Sequence, residues 1–290
     1  MQQQEQLSPI LPAIKIKTAF EELCNKHELL TCGIEKIDSI LKLTGSDRLA
    51  VTGNKKYSQI FVTRLCVNAL LSSLSPTSSS KKKNNSKLVA SRFHTPNVIL
   101  VDTGNCCDFY QYVNFARQYY RHDVISRVLS NTIITRPFTV YQLTDIVVNQ
   151  LPKVIQQYSA KMVVVSDLLD MFVLDPQIGS NEATYLINEI INSVTKSRML
   201  EDVLVIVSLP LVDSAYRQNN KAAISYNKII IPRFDKSIEI MNSHENKNKM
   251  IDIKIRNDCT RHKNTMNDFH YDKLLSINER DLLTVSAPTK

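Results

Sequence analysis

Val98-Ile99-Leu100-Val101-Asp102 is an uninterrupted apolar run that ends in an acid. Five residues are too few for a buried helix, and three of the four apolar ones are β-branched. That pattern is a strand covered on both faces, as in a parallel sheet. Working outward, the same kind of run recurs. Arg48-Leu49-Ala50-Val51-Thr52 reads as a short buried strand ending at Gly53, Met162–Val165 as another and Val203–Val207 as a third, with a shorter strand at Thr132-Ile133-Ile134. Between them lie stretches with apolar residues at helical spacing: 58–74, 108–121, 139–158 (with a kink expected at Pro152) and 181–198. Strands alternating with helices of this length predict βαβ units and a mainly parallel sheet flanked by helices. After the last of these strands the alternation stops. Residues 228–232, 236–241 and 250–256 read as an antiparallel meander, and 276–286 as a last edge strand.

The chain has 290 residues, of which 43% are hydrophobic, enough for one sizeable core and too many for a disordered chain. Residues 1–29 read as an N-terminal arm with a short helix over 18–29, and 30–290 as one core domain. Within that core, 75–92 (SPTSSSKKKNNSKLVASR) reads as a flexible basic insertion and 228–290 as C-terminal strands and tail. The N-terminal residues contain no signal-peptide core, and no apolar run approaches the length of a membrane span. The six cysteines include no C-x-x-C pair, which suits reduced intracellular thiols rather than a zinc ribbon or a secreted framework. His244, His262 and His270 lack metal-ligand spacing, so neither a metal nor another cofactor is expected. The net charge of +8 permits a polyanionic partner.

The order of elements over about residues 30–260 resembles the ATPase core of RecA-type recombinases, in the archaeal and eukaryotic RadA-like branch. Thr31-Cys32-Gly33-Ile34-Glu35-Lys36-Ile37-Asp38-Ser39-Ile40-Leu41 resembles the family's lead-in to the phosphate-loop strand. Val98–Thr103 resembles its second strand, 162–172 (MVVVSDLLDMF) its Walker B strand, 203–208 the next strand and 228–255 its closing hairpins. The resemblance implies a RecA-like fold. It also implies an ATP site at G-x-x-x-x-G-K-[S/T], whose loop N–H groups, lysine and hydroxyl hold phosphates and Mg²⁺.

Those groups are missing here. Gly53 is followed by Asn54, Lys55, Lys56, Tyr57, Ser58, Gln59 and Ile60, so Ser58 stands for the second glycine, Gln59 for the lysine and Ile60 for the hydroxyl. Lys55 and Lys56 bring positive charge in a different frame, and Ser58 reads as a cap of the following helix. Gly104 stands at the family's catalytic glutamate and cannot orient a water; Asp102 reads as a strand-end acid capping the next turn. Ser166-Asp167 reverses the Walker B order, which in an unbroken strand puts Ser166 on the metal side and Asp167 on the other face; a one-residue bulge would restore the acid. Asp170 reads as part of the turn after the strand, and Leu209-Pro210 follow the last parallel strand where a phosphate-sensing pair is often found. Only 5 glycines in the whole chain also count against a glycine-rich phosphate loop.

The expected function is therefore that of a non-catalytic recombinase paralogue, which binds single-stranded DNA, a RecA-type recombinase or another copy of itself and modulates homologous recombination and repair. It would be cytoplasmic and nucleoid-associated, or nuclear in a eukaryote. An unusual ATPase using Lys55 or Lys56, and a pseudo-ATPase scaffold in an unrelated complex, remain as alternatives. The candidate DNA contacts are Tyr216, Arg217, Lys221 and Tyr226 in a loop over 212–227, together with Lys81, Lys82 and Lys83. Residues 174–181 match the other family DNA loop. The stretch Ile14–Phe20 is a candidate strand for addition to a neighbour's sheet.

Overall fold

A computed structural model describes residues 30–72, 97–118, 122–175, 177–197, 200, 202–211, 217–243, 250–257 and 273–284. The arm Ile14–Phe20, the helix expected over 18–29, Lys81, Lys82, Lys83 and Tyr216 lie outside the described residues.

The described chain is α/β, with eight strands in one sheet. They are β1 (Arg48–Asn54), β2 (Asn97–Asp102), β3 (Thr132–Thr135), β4 (Ala160–Ser166), β5 (Leu204–Leu211), β6 (Lys236–Asn242), β7 (Met250–Asn257) and β8 (Lys273–Asn278), in the spatial order β3-β2-β4-β5-β1-β6-β7-β8. All pairs from β3 to β6 are parallel, while β6–β7 and β7–β8 are antiparallel. This is the RecA-like arrangement expected from the sequence.

Helices cover both faces, which is why the central strands are apolar throughout. Leu49, Val51, Val98, Leu100, Met162, Val164, Leu204 and Ile206 point into one core. It is shared with α1 (Glu35–Leu41), α2 (Lys55–Ser72), α3 (Phe109–Arg117), α4 (His122–Ser130) and the short C-terminal α10 (Glu279–Leu283). Their strand neighbours Ala50, Ile99, Val101, Val163, Val165, Val205 and Val207 point into the other. That core is shared with α5 (Val140–Asp145), α6 (Leu151–Tyr158), α7 (Asp170–Leu174), α8 (Ser180–Lys196) and α9 (Arg217–Ile230). The kink expected near Pro152 takes the form of a π-helical turn, Ile146–Gln150, joining α5 to α6 just ahead of the proline.

Several expectations about the second half are corrected. The loop over 212–227 is helical from Arg217 onward, and 228–232, expected as a strand, is the end of α9 and a 3₁₀ turn, Ile231–Arg233. Continuous helical winding places Ile230 in the core against the sheet, and a strand there would forfeit that contact. Leu209 and Pro210 do not follow β5 but belong to it, paired with Thr52 and Gly53 of β1. The β4–β5 pairing ends at Val207, so Pro210 interrupts nothing on that side. The last segment divides into β8 and α10 rather than one edge strand, with Asn278 capping α10 through the N–H of Arg280.

The lead-in motif has a direct physical account. Asp38, in α1, accepts hydrogen bonds from the N–H groups of Cys32 (2.8 Å) and Gly33 (3.0 Å) and from the Thr31 hydroxyl. Gly33 has φ +74°, a conformation that favours glycine. The carbonyls of Cys32 and Gly33 in turn accept from Arg64 of α2. Arg64 is completely buried, and its guanidinium also donates to the carbonyls of Asp281 (2.6 Å), Leu282 (3.1 Å) and Thr284 (2.7 Å). One side chain thus ties the entry to the domain, α2 and the C-terminal α10 together.

Candidate functional site: the strand ends beneath helix α2

In a parallel sheet of this kind, ligands bind beyond the carboxyl ends of the strands. Here that position holds a network of the chain's own side chains. Strand β1 ends at Asn54 and α2 begins at Lys55, with no loop between them. The helix starts three residues earlier than the sequence pattern suggested, because residues 55–57 have wound into its first turn. Asn54 accepts from the Tyr57 N–H (3.3 Å) and takes the capping role expected of Ser58. Ser58 is instead fully buried inside the first turns and donates to the Thr52 carbonyl at 3.2 Å. Ile60 is buried in the core.

Gly53 is required for a reason unrelated to phosphate. It has φ +102°, and a Cβ there would lie 2.1 Å from the Ile240 carbonyl oxygen. The close passage of β6 demands a residue without a side chain.

Two lysines now stand at the N-terminus of α2, the positive end of the helix dipole, with no acid in the first turn. Their compensation comes from elsewhere in the chain. Lys55 Nζ lies 2.5 Å from Asp170 Oδ2 and 3.2 Å from Asp167 Oδ2. Gln59 Nε2 donates to Asp167 Oδ2 at 3.0 Å, and the Ser208 hydroxyl donates to Asp167 Oδ1 at 3.0 Å. Lys56 pairs with Glu279 at 3.0 Å, and the Tyr57 hydroxyl donates to the same Glu279 oxygen at 3.2 Å. Burial pulls the Lys55 ammonium down, but the two aspartates outweigh it and hold it above its ordinary value. Burial and the neighbouring Asp167 hold the Asp170 carboxyl above its usual range, against the opposing pull of Lys55.

This geometry corrects two expectations. Asp167 does not point away from the helix. Strand β4 ends at Ser166, and Asp167 takes a left-handed conformation, φ +51°, which swings its carboxylate back beneath α2. Asp170 is more than a turn residue: it opens α7 and supplies the shorter of the two lysine contacts. Ser166 faces Asp102, its hydroxyl 3.3 Å from Asp102 Oδ1.

Asp102 caps the turn after β2, accepting from the N–H groups of Cys106 (2.8 Å) and Cys107 (3.2 Å). It also pairs with Arg136 at 3.1 Å, a partner that nothing in the sequence signalled. Burial, together with Asp102, pushes the Cys107 thiol up to about 12, and burial with Asp167 and Asp102 raises Cys106 also, so both stay protonated near neutrality. Gly104, where the family has its glutamate, is backed by the same aspartates: a Cβ there would lie 3.0 Å from Asp167 Cβ and 3.1 Å from Asp170 Oδ2.

Of the residues singled out from the sequence, Gly53, Lys55, Ser58, Gln59, Ser166 and Asp167 therefore come together, with Lys56 at the rim. Asp170, Ser208 and Glu279 complete the network. An acid pair spaced i, i+3 after a strand, facing a helix that begins on lysine, was the signal that could have found Asp170. Arg217, Lys221 and Tyr226 belong to α9, where Tyr226 is half-buried against the second core. Among the described residues no group of three or more His, Cys, Asp or Glu could hold a metal ion, and no helix is long and apolar enough to cross a membrane. No protein-family model matches the chain, and no curated protein is significantly similar to it.

Proposed function

We propose that this chain is a non-catalytic RecA-like protein, which binds single-stranded DNA or a RecA-type recombinase and modulates recombination and repair without hydrolysing ATP. The observation that carries the reading is the Lys55–Asp167–Asp170 network. The start of α2 is where phosphates would be cradled, and there the positive helix end and its lysines are already neutralised by internal carboxylates. A triphosphate would have to displace Asp167 and Asp170, both acidic and both largely buried, and would meet neither the loop N–H groups nor the lysine of the family's motif.

What supports a polyanion partner is α9. Arg217, Lys221 and Lys228 recur at i, i+4 and i+11, within one narrow stripe of an α-helix, and the helix contains no acid. Ile224 and Lys228, on the same stripe, are exposed. Three cations one to two turns apart on a helix without acids suit phosphate contacts, which position a strand without reading its bases. A nucleoid or nuclear location follows from this reading.

The test has two arms. Calorimetry at millimolar ATP–Mg²⁺ is expected to show no tight binding. Fluorescence anisotropy with oligothymidylate is expected to give an affinity that falls with salt by roughly 0.7 log units per contacted phosphate per log unit of salt. The double substitution Arg217→Ala, Lys221→Ala is expected to weaken it about tenfold with little base preference. ATP turnover abolished by Lys55→Ala would reject the first half, and unchanged DNA affinity in the double variant would remove α9 from the second. Failure to associate with DNA and with the cell's recombinase alike would leave a purely structural scaffold.

A further inference from the structure

On the face of the sheet opposite α2, helices α5 and α8 pack together beyond the strand ends, and the Ser193 hydroxyl of α8 donates to the Val147 carbonyl in the π-helical turn that follows α5. Their N-terminal ends carry a group of exposed aromatic rings. Phe138 is 85% exposed, Tyr185 64% and Tyr141 56%, although each ring is large enough to lose considerable free energy in water. Glu182 links them. It accepts the Tyr141 hydroxyl at 2.7 Å across the two helices and lies one turn before Tyr185 on α8, while Phe138 lies three residues before Tyr141. The hydrogen bond to Glu182 holds the Tyr141 hydroxyl above its ordinary value, with Asp175 adding to the effect. Phe138 is fixed by its backbone, whose N–H donates to Gln142 Oε1 at 2.8 Å, and Thr139 caps α5 beside it. The rings are therefore presented on ordered helix ends.

The charge around them is opposite to that of the rest of the molecule. Residues 137–152 and 175–195 contain four carboxylates and no lysine or arginine, in a chain of net charge +8. Three cations border these stretches: Lys153 and Lys196 at their C-terminal ends, and Arg136, two residues before Phe138, which is engaged with Asp102. Exposed rings interleaved with carboxylates suit a guanidinium, which is planar and weakly hydrated, stacks on aromatic faces and pairs with carboxylate oxygens through its fork of donors. The same charge disfavours a nucleic-acid strand, which rings alone could have stacked.

We propose that Phe138, Tyr141 and Tyr185, with Glu182 and Asp175, form a docking surface for an arginine-bearing segment of a protein partner. The surface is independent of the DNA reading, since it uses neither α9 nor the network beneath α2.

The experiment uses the full chain and a labelled nonapeptide of alternating arginine and glycine, with the lysine–glycine peptide and oligothymidylate as comparison probes. The overall positive charge of the chain works against non-specific capture of a cationic peptide, so binding reports a local site. Phe138→Ala and Tyr185→Ala are each expected to weaken the arginine peptide about three- to fivefold, Glu182→Gln about threefold, and the triple variant at least about tenfold. The lysine peptide is expected to bind more weakly than the arginine peptide. All three side chains are exposed, and thermal midpoints within about 2 °C of the parent confirm that the fold is kept. Absence of arginine-peptide binding, undiminished binding by the triple variant, or oligothymidylate affinity lost in that same variant would each overturn the proposal.

Discussion

Two cations on the same helix, nine residues apart, are held in opposite ways. Arg64 is completely buried and donates to five carbonyls, all of them neutral. Lys55 is 36% exposed and meets two carboxylates. The first arrangement joins parts of the chain that are far apart in sequence through acceptors that do not titrate. The second closes a mouth at the surface, and its strength depends on the protonation of its partners. The difference lies between a cation that serves as architecture and one that occupies a site.

The largest test of that contrast is Arg64→Met. It leaves buried carbonyls on both sides of α2 without donors, and a loss of about 3–5 kcal/mol in denaturant unfolding is expected. Arg64→Lys is expected to recover little, because an ammonium offers three donors from a single atom. The loss should be the same from pH 5 to pH 9, since the acceptors are amide carbonyls. A strong pH dependence would show that a carboxylate carries the effect and would erase the distinction.

Lys55→Met is expected to cost less, about 1.5–3 kcal/mol at pH 7, because the lysine is partly exposed although its removal leaves two largely buried carboxylates together. Here pH matters. In the parent, the raised Lys55 contributes stability that is fully present below its ordinary 10.5 and is lost only as pH rises through its higher folded value. In the variant, Asp170 loses the partner that pulled it down. A carboxyl raised in the folded state contributes stability that is fully present below its ordinary 3.8 and disappears as pH rises through the folded value. The penalty of the variant should therefore shrink as pH falls from neutrality toward the ordinary carboxyl value of 3.8, which urea titrations at stepped pH would reveal. A penalty constant across that range would mean that Lys55 acts by packing alone.

The smallest expected effect is at Lys56→Ala. Its side chain is 63% exposed, and its pair with Glu279 should be worth less than about 1 kcal/mol and fade in high salt. A larger loss would make the rim of the site, rather than Lys55, the main compensation for the helix end.

The strands were legible because burial on both faces leaves an unmistakable apolar run: 98–102 and 162–165 could be read directly. The missing phosphate chemistry was legible too, since it depends on the identities of Ser58, Gln59 and Ile60. What replaced it was not, because each component is set by backbone conformation. Asp167 enters the site through one left-handed residue, and a period-two reading of β4 sends it the wrong way. The α9 segment was read as a loop because the resemblance puts a DNA loop at 212–227 and Asn219 and Asn220 are weak helix formers, whereas tertiary contact at Ile230 favours the helix. Arg64 and Arg136 gave no local signal, as their partners lie far away in sequence.

The early start of α2 bears on whether a phosphate site could be built here by exchanging residues. Exchanging Ser58, Gln59 and Ile60 for glycine, lysine and threonine would restore the letters of the motif while residues 55–57 stayed coiled. The glycine alone would cost about 1 kcal/mol inside a helix, and the threonine would bring a hydroxyl to the buried position of Ile60. Each single exchange is thus a step downhill in stability with no gain in binding until the first turn unwinds and Lys55 lets go. A path by point mutation to a phosphate loop therefore passes through less stable intermediates. The wound first turn at the end of β1 works as a latch against it.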